Sequence, residues 1–348
     1  MLTYWLMYLI VSVMALSTGA KQQRTLFSWI LIGFFLTVII GFRYKVGLDW
    51  SNYMVHYNAM DGLELKEALK HGDPGHSFLN WLSYKWNLGI YGINVIYGAI
   101  FTVGLIRFSK QQPYPWLTMV VAVPYLLIVV AMGYSRQGVA IGLFLLAITY
   151  LNKGRFKTYI VLILIAALFH KTAILLLPLG VFLYGKNLWL RVIMIIPIIY
   201  GAWDLLLSKD QEHLWHSYVD KQMQSAGAQI RVAMNLVPAL ILLKYKKQWK
   251  QYFNDYSFWF WIAIGSILSV FFVSVASTAV DRVALYFIPI QLVVFSRLPY
   301  LLKKQINPST MKIFIIISYA IVLFVWLNFA VYSQGWQPYR NILFEGLF

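Results

Sequence analysis

Apolar stretches of helical length follow one another along nearly the whole chain, at roughly 2–19, 25–42, 91–106, 116–133, 138–152, 158–170, 172–184, 188–203, 231–243, 257–276, 283–298 and 311–332. Runs of this kind suit helices that cross a hydrocarbon core about 30 Å thick. The pattern predicts an all-α, polytopic integral membrane protein of about twelve transmembrane helices, a single transmembrane domain over residues 1–348. The segments 158–170 and 172–184 would each span only roughly 20 Å. Their shared turn at His170-Lys171 is therefore expected below the membrane surface, lining a cavity walled by protein.

Two polar connections are long, about 43–90 and 204–230. The first opens with RYKVGLDWSNYMVHY, residues 43–57, which sets Arg43, Lys45, Asp49 and His56 among aromatics directly after an apolar stretch. Further along, Asp61 and Glu64 read as a capping box that starts a short helix ending at Gly72, before a turn at Asp73-Pro74-Gly75. The aromatic segment from His76 to Trp86 is too short to cross and is expected to lie flat at the interface as a short extracytoplasmic helix. The second connection holds His213, His216, Tyr218 and Asp220.

Composition narrows the class. The chain is 60% hydrophobic and 12% charged, about half the charged content of a soluble domain. It has no cysteine, which removes disulfides, thiolate catalysis and cysteine-ligated metal. The first apolar stretch runs to Lys21 and Arg24 and reads as a retained span, not a cleaved signal. A formal charge of +17 would suit a nucleic-acid partner, but its distribution argues for a membrane. The alternate connections around residues 21–24, 107–110, 153–157, 186–191, 244–250 and 297–312 hold seventeen of the 29 cations. The positive-inside rule makes that side cytoplasmic and both termini extracytoplasmic. The opposite side holds every histidine and every acid except Asp255, so the titratable chemistry is expected outside.

Helices that begin on the outer side start at or near Ser135-Arg136-Gln137, His170-Lys171-Thr172, Arg231 and Asp281-Arg282. A helix N-terminus with an added cation makes an anion site, and several converging would cradle a pyrophosphate. Cations near span ends also simply snorkel to headgroups. Asp49 has two readings: an ion pair with Arg43 or Lys45 that shapes the loop, or a general base for a sugar hydroxyl. His170 is either a packing residue or a phosphate ligand or base. Asp281 reads as a local partner of Arg282. Trp50, Tyr53 and Tyr57 suit either sugar stacking or interface anchoring. No metal-ligand spacing, Walker glycine loop or nucleophile elbow occurs, so no metal or cofactor is expected.

Four patterns, in order, carry a resemblance: Arg43…Gly47-x-Asp49-x-x-x-Tyr53; Ser135-Arg136-Gln137-Gly138; Phe169-His170-Lys171-Thr172-Ala173; and Asp281-Arg282 leading to Tyr286-Phe287. Each is short, and only Thr172, where Ser is commoner, departs from the pattern. Together the chain, from about residue 40 to 290, resembles the EpsG family of exopolysaccharide polymerases, a branch of the Wzy-type O-antigen and capsule polymerases. Arg340 and its neighbours lie past the resemblance. It implies a glycosyltransferase at the outer face of a bacterial inner membrane that moves a growing glycan from undecaprenyl diphosphate onto a new lipid-linked repeat unit, without metal or nucleotide. In those terms Arg136, Arg282 and Lys171 would hold the donor diphosphate with Arg43 and Arg231 assisting, and Asp49 or His170 would take the acceptor proton. Tyr53, Gln137 and Asp281 complete the candidate binding set. The partners implied are the lipid-linked donor and acceptor and membrane lipid, with a polysaccharide chain-length regulator as a further one and no nucleic acid. A lipid-linked oligosaccharide flippase, an O-antigen ligase and a membrane O-acyltransferase are the competing classes. The flippase is disfavoured because no half-repeat is evident, and the acyltransferase because the first histidine, His56, comes only after the second apolar stretch.

Overall fold

The computed structural model describes residues 1–21, 25–184, 227–274 and 277–345. The expected span 188–203 and the part of the second long loop with His213, His216, Tyr218 and Asp220 lie outside them. The described chain is helical, its only β-bridge being an isolated antiparallel pair between Arg43 and Asn341. In chain order the helices are α1 (Leu2–Leu16), α2 (Leu26–Gly41), α3 (Trp50–Asn58), α4 (Leu65–Ala68), α5 (Pro74–Lys85), α6 (Gly89–Ser109), α7 (Pro115–Ala122), α8 (Ser135–Leu151), α9 (Phe156–Phe169) and α10 (Leu177–Tyr184). They continue with α11 (Ala228–Lys244), α12 (Lys246–Tyr252), α13 (Tyr256–Phe272), α14 (Ser277–Ala284), α15 (Pro289–Leu301) and α16 (Pro308–Phe329).

Among the described residues, three helices are long and apolar enough to cross a membrane: α6, the run Ser277–Leu301 formed by α14 and α15, and α16. Helices α11 and α12 meet the same test together but are bent by 77°, and the other apolar helices run to 10–17 residues. Of the expected crossings that fall among the described residues, then, only these reach full length. The shortening has local causes. Pro124 cannot donate into an α-helical ladder, and α7 continues from Val123 to Ala131 as a wider π-helix. At His170 the backbone is extended, and the chain resumes as a tight 3-10 turn over Lys171–Leu176. Phe27, Phe34, Phe271, Phe314 and Phe329 face outward, an apolar surface that belongs against lipid and not against water.

Helix α7 and its π-helical continuation are buried on every side, with α1, α15 and α16 packed around them. On the other flank α6 packs against α2 and α8, and α8 against α9. Glycine permits the α6–α8 approach: a Cβ on Gly104 would come within 2.0 Å of the Gly142 carbonyl oxygen, and one on Gly142 within 2.6 Å of the Phe101 Cα. Backbones that touch gain dispersion contact, which must replace the hydrophobic drive that lipid does not supply. Deeper in the bundle, Tyr319 donates to the Gln291 side-chain oxygen (2.8 Å), Gln291 to Asn235 (2.7 Å) and Asn235 to the Ala284 carbonyl (2.8 Å), tying α16, α15, α11 and α14 together.

The first long loop departs from its expected form in two places. The capping box is made by Glu64 and Glu67, not by Asp61, with the Glu64 N–H donating to the Glu67 carboxylate at 3.3 Å. Asp73-Pro74-Gly75 is no turn: Asp73 is the N-cap of α5 and Pro74 its first residue, the position where a missing N–H costs nothing. Helix α5 packs on α3, α6 and α9 and buries the polar face His76, Ser77, Asn80 and Ser83.

Replacing Gly104 by Val should force α6 and α8 apart and destabilise the bundle by about 1–3 kcal/mol or more. The measurement is the thermal unfolding midpoint of purified protein in detergent; an unchanged midpoint would mean that the helices do not meet at Gly104 and Gly142.

Candidate functional site

The loop after α2 is held from below by Arg43. Its side chain is fully buried, and its two terminal nitrogens donate to the Ile40 carbonyl (2.5 Å), the Asn94 side-chain oxygen (3.2 Å) and the Ser135 hydroxyl (2.6 Å). Burial pulls the Arg43 guanidinium down to about 10, with Tyr53, Tyr339 and Tyr4 opposing the shift. Expected to assist a diphosphate, Arg43 instead braces α2, α6 and the start of α8. Next to it Gly47 takes φ +97°, and a Cβ there would meet the Met132 carbonyl oxygen at 2.8 Å, so only glycine lets the loop lie on the end of the π-helix. The segment after α16 closes the same loop from outside: the Tyr44 N–H donates to the Arg340 carbonyl (2.9 Å), and that of Gly47 to the Gly335 carbonyl (2.8 Å).

Arg136, in the first turn of α8, stands at the centre of the polar cluster above this brace. Its guanidinium donates to Asp73 at 3.0 Å, and its backbone N–H faces the Tyr53 hydroxyl at 3.5 Å. Asp73 also accepts the Lys171 backbone N–H, which ties the start of α5 to the break after α9. The His170 ring lies within electrostatic reach of Arg136, Arg282 and Lys171 together, and its Nδ1 is 2.6 Å from the Thr172 hydroxyl. Asp49 interacts with Arg136 and Arg282 and hydrogen-bonds with the Asn52 side chain. Of the two readings of Asp49, the ion pair with Arg43 or Lys45 does not form: Arg43 is turned inward, and Lys45 lies over the Tyr44 ring at 5.1 Å. Burial raises the Asp49 carboxyl above its ordinary range against the pull of Arg136, Asn52 and Arg282. Burial also raises Asp73, against Arg136 and the Lys171 N–H.

A second knot joins α11, α14 and α8. Arg231 makes a two-pronged, buried ion pair with Asp281, through Nε to Oδ1 and through Nη2 to Oδ2 at 2.6 Å. Asp281 thus pairs across helices with Arg231, not with its neighbour Arg282. The Gln137 side chain donates to the Arg282 carbonyl at 2.6 Å, which sets Arg282, exposed on α14, beside the start of α8. All four expected helix starts therefore meet at one end of the bundle. Of the cations at these starts and in the loop below, Arg136 is partly exposed and Lys171 and Arg282 are exposed, while Arg43 and Arg231 are buried. Among the described residues no group of three or more His, Asp or Glu forms a metal-binding set.

Asp73, His76 and Tyr97 were not singled out by the sequence. His76 is buried, with Nδ1 2.7 Å from the Tyr97 hydroxyl and its ring 5.4 Å from that of His56 and 5.8 Å from that of Tyr53. Two signals for these residues were present. Asp-Pro ahead of a helical stretch marks an N-cap, and His76, Asn80 and Ser83 recur at helical spacing on an otherwise aromatic segment.

Apolar helices, outward-facing phenylalanines and a cluster of cations at one end define a helical membrane protein. The chain belongs to the EpsG family, whose sequence model matches residues 26–341, so the likeness runs well past residue 290 and takes in the segment that closes the Arg43 loop. No curated protein and no solved structure matches the chain.

Burial, with Arg136 and His56 adding to it, pulls His76 down to about 3. The folded protein therefore leaves His76 neutral where the unfolded chain protonates it, below about pH 6.5. Between those values the unfolded state binds more protons at this residue, so the contribution of His76 lowers stability as pH drops from 7 to 5. His76→Gln should flatten that slope; a thermal midpoint with the same pH dependence in wild type and variant would refute the neutral, buried His76.

Proposed function

We propose that this EpsG-family protein is a polysaccharide polymerase of the bacterial inner membrane. In this reading the shorter apolar helices cross alongside the three long ones, and the polar cluster faces out of the cell. The substrate pair is a growing glycan on undecaprenyl diphosphate and a fresh lipid-linked repeat unit. One observation supports it above the rest: Arg136, Lys171 and Arg282, from separate segments, all bear on His170, and two of them bear on Asp49 as well. Cations gathered beside a raised carboxyl suit a reaction with a diphosphate leaving group and a hydroxyl nucleophile.

The donor diphosphate sits among Arg136, Lys171 and Arg282. The acceptor hydroxyl oxygen bonds to the donor's anomeric carbon as the bond from that carbon to the diphosphate oxygen breaks. Asp49 takes the hydroxyl proton, and undecaprenyl diphosphate leaves with its charge stabilised by the three cations. His170, its Nδ1 engaged by Thr172, serves as a neutral polar wall. Asp73 holds Arg136 in place before substrate arrives, while Arg43 and the Arg231–Asp281 pair fix the helix ends beneath. A chain-length regulator would have to dock outside this cluster.

Arg136→Ala or Arg282→Ala should leave the protein in the membrane but lower polymer formation by about 100-fold, read as a collapse of the glycan ladder to one repeat unit. Wild-type chain lengths would remove that residue from the diphosphate site, and loss of even the single unit would point to a flippase. Asp49 must be unprotonated to act, so the rate should rise with pH through its raised value and Asp49→Asn should abolish that limb. If the limb survives in Asp49→Asn and is lost in His170→Gln, the base is His170.

A further inference from the structure

The end of the bundle away from the polar cluster carries a groove that polymer formation does not use. Arg136 begins α8 and Lys153 follows its last turn, so the two lie about 26 Å apart along the helix. Three openings share residues there. One of about 680 Å³ is lined by Gln111, Asn152, Lys153, Asn254, Asp255 and Arg297. It shares Asn254 with one of about 430 Å³ that holds Lys246, Lys250 and Tyr256. It shares Gln111 and Lys153 with one of about 230 Å³ that holds Arg107 and Lys110. The 77° bend after Lys244 turns α12 and its lysines across this end.

The floor is rigid and charge-balanced. Arg297 pairs with both Asp255 oxygens at 2.7 Å, donates to the Gln112 side chain at 2.9 Å and stacks over Phe253 at 4.1 Å. Asp255 also accepts from the indole N–H groups of Trp259 (2.9 Å) and Trp249 (3.3 Å). The one acid in the lining is thus neutralised, and the rim keeps a net positive charge. Two polar atoms of the lining are buried and unsatisfied: the side-chain oxygen of Gln111, whose nitrogen donates to the Thr149 carbonyl at 3.0 Å, and the Tyr256 hydroxyl. Lys250 lies 5.2 Å over the Tyr256 ring. A buried acceptor without a donor is costly; because the rest of Gln111 lines the groove, a turn of its side chain would bring the oxygen to a ligand hydroxyl and relieve that cost.

We propose that this groove binds an anionic phospholipid with a polyol headgroup, of the phosphatidylglycerol kind. Its phosphate lies between Lys153 and Lys250, and its headgroup hydroxyls meet Gln111, Asn152 and Asn254. Charge complementarity selects the phosphate, the orphaned Gln111 oxygen selects the hydroxyls, and a groove at the basic end of a membrane protein is at headgroup depth. The assignment is independent of the polymerase reading, since it concerns the opposite end of the bundle and is read by lipid retention.

The full chain, purified in phosphatidylcholine nanodiscs doped with phosphatidylglycerol, should retain the latter preferentially in native mass spectrometry and gain thermal stability from it. Soluble sn-glycerol 3-phosphate should not substitute at equal concentration. Lys153→Gln with Lys250→Gln should lower retention by about fivefold or more, whereas Lys157→Gln with Lys304→Gln, exposed cations of the same end outside this lining, should not. Gln111→Met, which leaves the charge intact should the double variant fail to fold, should reduce the preference for phosphatidylglycerol over phosphatidic acid. Equal loss from both lysine pairs, or no preference in the wild type, would overturn the proposal. So would retention of a poly-glutamate peptide in place of lipid, which would assign the groove to a protein segment.

Discussion

A guanidinium taken out of water must find acceptors in the protein, and that requirement at Arg43 shapes the candidate site. Its partners come from the end of α2, from Asn94 in α6 and from the first residue of α8. Losing any of them would leave a buried charge short of an acceptor, a cost of about 1.5–3 kcal/mol. The brace therefore fixes where α8 begins, and with it where Arg136 stands. The polar loop above can remain short and irregular because Gly47 lies flat on the π-helix and the C-terminal segment closes over it.

The two ends of the bundle handle charge differently. At the Arg136 end, the buried Arg43 and Arg231 are matched by neutral acceptors and an acid, while the more exposed Arg136, Lys171 and Arg282 all act electrostatically on His170, and two of them on Asp49. At the far end the ion pair of Asp255 and Arg297 is sealed by indoles and a phenyl ring, and the lysines stand at a rim around it. A reaction that expels a diphosphate needs the first arrangement; a surface that holds headgroups needs only the second. The raised carboxyls of Asp49 and Asp73 follow from partial burial among cations that do not fully offset it.

Much of the site was legible along the chain. Cations that stood among small polar residues at the starts of helices did converge at one end of the bundle. What misled was pairing. Asp281 beside Arg282 suggested a neighbour pair, yet adjacent residues on a helix point about 100° apart and do not face each other, and Arg231 reaches Asp281 from another helix. Asp49 likewise faces Arg136 and Arg282, far away in sequence, and not the nearby Lys45. Asp73 reads as part of a turn because Pro and Gly follow it, although the same residues also open helices.

The sequence alone determined that this chain is helical and apolar enough for a membrane. Those properties depend on composition and spacing, which do not change on folding. Only the tertiary structure decided which cations are buried braces and which face the open cluster, where the helices are shortened or bent, and that the C-terminal segment belongs to the site. Each of these depends on acceptors and close contacts supplied by residues tens to hundreds of positions away, and no local pattern encodes them.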